Sequence, residues 1–197
     1  MTVQFDFRPG RKRVREMAER DGGEGMRYGN GVSRRRFITA AALTSLAARG
    51  WLAPAAAAGE RHILLVGTQT TAGSKGIYSY HWNAVTGDMD GQVLAAEVTM
   101  PTFLALAPDG RHVYSANELT KGPGEVTGFR LDRATRKLTE INAVSSQGAA
   151  PCHLTLDRAG RALFAANYTG GSAASFRVAG DGHLSDAVED LKYTGHG

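Results

Sequence analysis

Five side chains stand where proton transfer and hydrogen bonding can be concentrated: Asn117, Glu118, His153, Asn167 and Tyr168. An unperturbed imidazole titrates closer to neutral pH than any other side chain, so His153 is the candidate general base or acid. Glu118 can share the proton transfer or orient a bound molecule. Asn117, Asn167 and Tyr168 can supply hydrogen-bond donors. All five lie in or beside a stretch that the chain carries twice, Pro101 to Asn117 and Pro151 to Asn167, at a constant offset of 50 residues. The Pro, both Leu, the Gly, the Arg, an Ala and the Asn recur in register.

The repeat predicts how these residues are positioned. In the first copy Leu104 and Leu106 alternate along one strand, Pro108-Asp109-Gly110 makes a turn, and His112 to Ala116 returns; period-2 patterns bounded by turn residues read as antiparallel hairpins. The start of a hairpin's first strand and the end of its second lie at the same end. His153 is therefore expected beside Asn167 and Tyr168, and Thr102 beside Asn117 and Glu118. Strands at Val126–Leu131 and Leu138–Val144 complete a four-stranded unit, and Leu154–Leu156, Ala162–Ala166, Ala173–Val178 and a last strand before Tyr193 restate it. Segments at Ile63–Gly67, Ile77–Trp82 and Gln92–Val98 make most of one more. Four antiparallel strands every ~50 residues is the pattern of a β-propeller blade, a unit that buries its apolar faces only by stacking on its neighbours. The expected fold is all-β, with about two and two-thirds blades, and the repeat brings both polar clusters to one face of the ring.

Each site residue also has a simpler explanation. Asn at a strand end commonly tolerates a left-handed turn conformation. A His before a strand can be a packing residue, Tyr168 can stack with its hydroxyl in water, and Glu118 can be an ordinary surface carboxylate. Cys152, the single cysteine, forms no intramolecular disulfide and reads as packing. His62, His81, His112, His183 and His196 have no metal-ligand spacing, so no metal or cofactor is expected. The glycines at 122, 124, 170 and 171 lack the strand-to-helix context of a phosphate loop and read as loop glycines.

The formal charge of +4 belongs to the N-terminal end. Residues 1–37 hold ten Lys and Arg against five Asp and Glu, and the remainder holds 13 against 14, so no nucleic-acid-binding surface is expected. Ser33-Arg34-Arg35-Arg36-Phe37-Ile38-Thr39 places paired arginines, Arg34 and Arg35, before a modest apolar run, and Ala55–Ala58 offers small residues for a peptidase. This reads as a twin-arginine signal within a leader over residues 1–58, with the export machinery as partner and the periplasm as destination. The run from Ile38 to Ala48 is about half of the ~20 residues that a membrane-spanning helix needs, so no stable anchor is expected.

Around Gly148 to Asp157, with Pro151-Cys152-His153 at its centre, and at Ala166-Asn167-Tyr168 and the parallel Ala116-Asn117-Glu118, residues 60–197 resemble the bacterial seven-bladed β-propeller lactonases, the family of propeller-type 6-phosphogluconolactonase. Leu65-Val66-Gly67-Thr68 looks like that family's opening strand. The resemblance implies hydrolysis of a sugar lactone, which needs a base for water, donors for the carbonyl oxyanion and an acid for the departing ring oxygen. The family's Gly-Pro-His-x-His-Ser stretch would follow Gly197, so residues 59–197 are expected to be the first blades of a longer domain, inactive by themselves. Two other readings stay open: a non-catalytic propeller that binds a ligand or partner on its face, and a lactone-forming cycloisomerase.

Overall fold

The structure is a computed structural model, and it describes residues 2–5 and 61–195. The twin-arginine motif, the apolar run after it and the alanine stretch lie outside the described residues. Twelve strands are present among the described residues, arranged in three antiparallel four-stranded sheets. The second sheet is β5 (Pro101–Leu106), β6 (His112–Asn117), β7 (Glu125–Asp132) and β8 (Lys137–Ser145), paired in sequence order. The third is β9 (Pro151–Leu156), β10 (Ala162–Asn167), β11 (Ser172–Arg177) and β12 (Glu189–Lys192).

The first sheet holds β2 (Arg61–Gly67), β3 (Gly76–Asn83) and β4 (Met89–Glu97), and its fourth strand is β1 (Thr2–Phe5). β1 pairs antiparallel with β2, from Thr2 opposite Gly67 to Phe5 opposite Leu64. The sequence places Thr2–Phe5 in the leader; the structure places them in the sheet. An edge such as that of β2 presents a row of backbone donors and acceptors that any extended segment can pair with.

Alternation along the strands decides the core. In β6, Val113 faces the first sheet and joins Ile63, Leu65, Ile77, Leu104 and Phe129 in one apolar cluster. Its neighbour Tyr114 faces the third sheet, in a cluster with Ala116, Val126, Leu154, Leu163 and Phe176. The second sheet thus buries both faces, as stacked repeats require.

The β5–β6 and β9–β10 turns reach the same geometry by different residues. Asp109 Oδ1 accepts from the backbone N–H groups of Arg111 (2.7 Å) and His112 (3.2 Å). In the third sheet Asp157, two positions earlier in the repeat, accepts from the equivalent Arg161 (2.6 Å) and Ala162 (2.8 Å). Gly110 (φ 63°) and Gly160 (φ 67°) take the left-handed step in both.

Candidate functional site

At the opposite end of these hairpins from the turns, each inner strand begins with an irregularity. Pro101 pairs with Asn117 and Phe103 with Ala116, which leaves Thr102 as the extra residue of a bulge; Pro151 pairs with Asn167 and His153 with Ala166, which leaves Cys152. Bulges re-aim a side chain and are common beside active sites. The residues just before them, Met100 (φ 53°) and Ala150 (φ 54°), are left-handed although neither is glycine. Such strain persists where surrounding hydrogen bonds over-determine it. Met100 O accepts from Glu118 N (2.8 Å), and Ala150 O accepts from Tyr168 N (2.9 Å).

These bonds make one continuous rim. Ala150 N donates to Leu119 O (2.8 Å), so the loop after Asn117 is tied to the start of the third sheet, whose Ala150 in turn holds Tyr168. Glu118 is half-buried, and its Oε2 accepts from Thr102 Oγ1 at 2.7 Å. Tyr168, at the equivalent position, is 81% exposed. His153 is exposed at the start of β9, its ring centroid 4.5 Å from that of Phe103 in the second sheet. A carboxylate, an imidazole and a phenol therefore share one rim, with the carboxylate oriented by a hydroxyl.

Asn117 and Asn167 have a different task from the one the sequence suggests. Both are buried, at 2% and 3% exposure. Asn117 Oδ1 accepts from Ser115 Oγ (2.7 Å) and its Nδ2 donates to Thr127 Oγ1 (2.8 Å). Asn167 Nδ2 donates to Ser146 O (2.8 Å) and Ser172 Oγ (3.0 Å). The amides knit strand ends together inside the sheets and do not face the rim as substrate donors. Nor are they left-handed; among the described non-glycine residues that conformation is taken at Met100, Arg136, Gln147 and Ala150. Thr102 lies beside Glu118 as the hairpin geometry predicts, whereas Phe103 and the left-handed Met100 and Ala150 are what sequence reasoning missed as site components. A residue before proline is ordinarily steered toward extended backbone, so the sequence carried no signal for the left-handed step at Met100 and Ala150.

The family model for the seven-bladed β-propeller lactonases matches residues 63–197, the whole span of the two bulged hairpins and the sheet before them. The chain belongs to that family. Among similar lactonases, the 6-phosphogluconolactonase of Bacillus subtilis is 33% identical over 137 residues, covering 70% of this chain and 39% of the relative. That of Formosa agariphila is 28% identical over 123 residues, covering 62% of this chain and 35% of the relative. The solved structure of the periplasmic gluconolactonase of Pseudomonas aeruginosa matches with a TM-score of 0.63 and 33% identity, over 68% of this chain and 39% of that one. The chain spans less than half the length of these lactonases.

Proposed function

We propose that the chain serves the hydrolysis of a sugar lactone outside the cytoplasm, with Glu118 and His153 as the proton-transfer groups. The observation that carries this reading is the lactonase match over residues 63–197, where the rim holds a carboxylate already oriented by Thr102. One of the two groups takes a proton from water as the water oxygen bonds to the lactone carbonyl carbon. The tetrahedral intermediate then breaks its bond to the ring oxygen, which receives a proton, and the product is the open hydroxy acid. Tyr168, exposed at the same rim, donates a hydrogen bond to the substrate. Paired Arg34 and Arg35 in the leader, together with the periplasmic relative, favour an unphosphorylated lactone, since phosphorylated sugars are cytosolic intermediates.

Catalysis belongs to a longer ring in this reading. The third sheet leaves Phe164 46% exposed, where its counterpart Tyr114 is fully covered by a neighbouring sheet. The test is an assay of gluconolactone and its 6-phospho form, corrected for spontaneous opening, with a seven-bladed extension of this chain. His153→Ala or Glu118→Gln lowers turnover by ~10² or more when the group moves a proton in the transition state. Hydrolysis at the background rate by the unmutated extended protein, with retained sugar binding, turns the assignment to a binding module. Fusion of residues 26–60 to a reporter tests export, which Arg34→Lys with Arg35→Lys abolishes.

A further inference from the structure

A cavity of about 310 Å³ opens between the β5–β6 turn, the β9–β10 turn and the segment after β11. It lies at the far end of the strands from the Glu118 rim: β6 runs from His112 beside the cavity to Asn117 at the rim, roughly 17 Å of strand. Its volume is at the lower end of the roughly 300–1,000 Å³ usual for small-molecule sites. Ala107, Pro108, Ala159 and Val178 give it apolar walls, and His112 and Arg161 bring polar groups to it.

The imidazole there is held in one orientation. His112 Nδ1 lies 2.7 Å from Asp109 Oδ2. Burial pushes the Asp109 carboxyl up, but the amides of Arg111 and His112 and the His112 ring outweigh it, so the group is held below its ordinary value. An ionised carboxylate only accepts, so Nδ1 carries the proton and Nε2 is an acceptor in the neutral ring. Among the described residues no protein group hydrogen-bonds Nε2. The one side-chain hydroxyl among the residues lining the cavity is already committed, since Tyr114 donates to Gly182 O at 3.1 Å. This arrangement is particular to the second sheet's turn, because the position of His112 is Ala162 in the third.

The charges nearby disfavour an anion. Asp109 lines the cavity, Asp157 carries the backbone of Arg161, and Asp109 and Asp181 both act on Tyr114, whose phenol burial and these carboxylates push up to about 12. Arg161 is the one guanidinium among the residues lining it. We propose that the cavity between the β5–β6 and β9–β10 turns is a second binding site, for an uncharged polyhydroxylated molecule of monosaccharide size. One ligand hydroxyl donates to His112 Nε2, another accepts from Arg161, and the C–H face lies on Pro108 and Val178. The site uses none of the rim residues and does not depend on the lactonase reading.

The test is a titration of the isotope-labelled full chain with D-glucose, myo-inositol and, separately, inorganic phosphate, followed by amide NMR. Saturable shifts at Ala107, His112, Ala159 and Val178 with a polyol, at Kd values on the order of 1 mM, are expected. His112→Phe weakens binding by roughly tenfold or more, and His112→Gln, which keeps an acceptor, weakens it less. Ala159→Phe fills the cavity from an exposed turn and keeps the proposal falsifiable if His112 variants unfold. No saturable shift with either polyol overturns the site, and saturation by phosphate alone overturns the ligand class.

Discussion

The second and third sheets are built on one repeat and differ in what their equivalent side chains do. Position 114 is Tyr, fully buried between two sheets, and its counterpart Phe164 is 46% exposed. Thr102 donates to Glu118 across the second sheet's bulge, whereas in the third the bulged residue is Cys152, whose Sγ lies 3.8 Å from Ala166 O. Ser115 satisfies Asn117 Oδ1, but its counterpart is Ala165, and Asn167 Oδ1 is buried without a protein donor. The lesson is that backbone geometry is the repeated quantity. Left-handed entry, bulge and turn recur, and side-chain chemistry varies freely on top of them.

The comparison breaks most readily in the core. Tyr114→Ala removes a fully buried ring and a hydrogen bond to Gly182 O, and is expected to destabilise by about 3–5 kcal/mol in urea unfolding. Phe164→Ala, on the exposed face, is expected to cost about 1 kcal/mol or less. Equal losses at the two positions would mean that the third sheet's outer face is covered.

At the bulges the expected effect is smaller and falls on activity. Thr102→Val removes the hydroxyl that orients Glu118 and should lower lactone turnover of a ring-length protein by roughly tenfold, the worth of one hydrogen bond to a charged group. Cys152→Val should leave turnover within roughly twofold, because no hydrogen bond to a rim carboxylate is lost. A loss at Cys152 as large as at Thr102 would mean that the two bulges contribute equally and that the Thr102–Glu118 bond is not what sets turnover.

Inside the sheets, Ser115→Ala leaves Asn117 Oδ1 unsatisfied and should cost about 1–2 kcal/mol. Ala165→Ser supplies the donor that Asn167 lacks and should gain about 0.5–1 kcal/mol. Thermal melts of the two variants sharpen the comparison, since opposite signs are required.

The smallest effect is in acid. Asp157 is held below its ordinary value by the amides of Ala162 and Arg161, and Asp109 by the amides and ring described above. A lowered folded pKa contributes stability that is present above the unfolded value and lost as pH falls through the folded one. Both turns therefore weaken below pH 3.8. Asp109→Asn or Asp157→Asn should flatten that limb of a stability-against-pH curve, and an unchanged limb in both would remove the turn carboxylates from acid unfolding.

Much of this architecture was legible in the chain. Leu104 and Leu106 alternate in the sequence and lie on one strand, and Val126–Leu131 and Leu138–Val144 fall within β7 and β8. The expected meeting of His153 with the end of β10 is realised, with His153 opposite Ala166. The site residues were less legible. Glu118 and Tyr168 reach the rim, but the sequence does not say that Asn117 and Asn167 turn inward, because Thr127, Ser146 and Ser172, which accept from their amide Nδ2 groups, come from other strands and loops.

What the sequence determined by itself was what recurs along it: the 50-residue repeat, and within it the two-residue alternation and the Asp- and Gly-bearing turns, these last two set by backbone sterics within a few residues. Tertiary structure decided which face of each strand found cover, which residue bulged, where a non-glycine accepted a left-handed backbone and how β1 came to lie on β2. Those outcomes depend on the hydrogen-bond partners and apolar surfaces that distant segments bring, and a strand edge or an amide side chain takes whichever partner the packed chain places beside it.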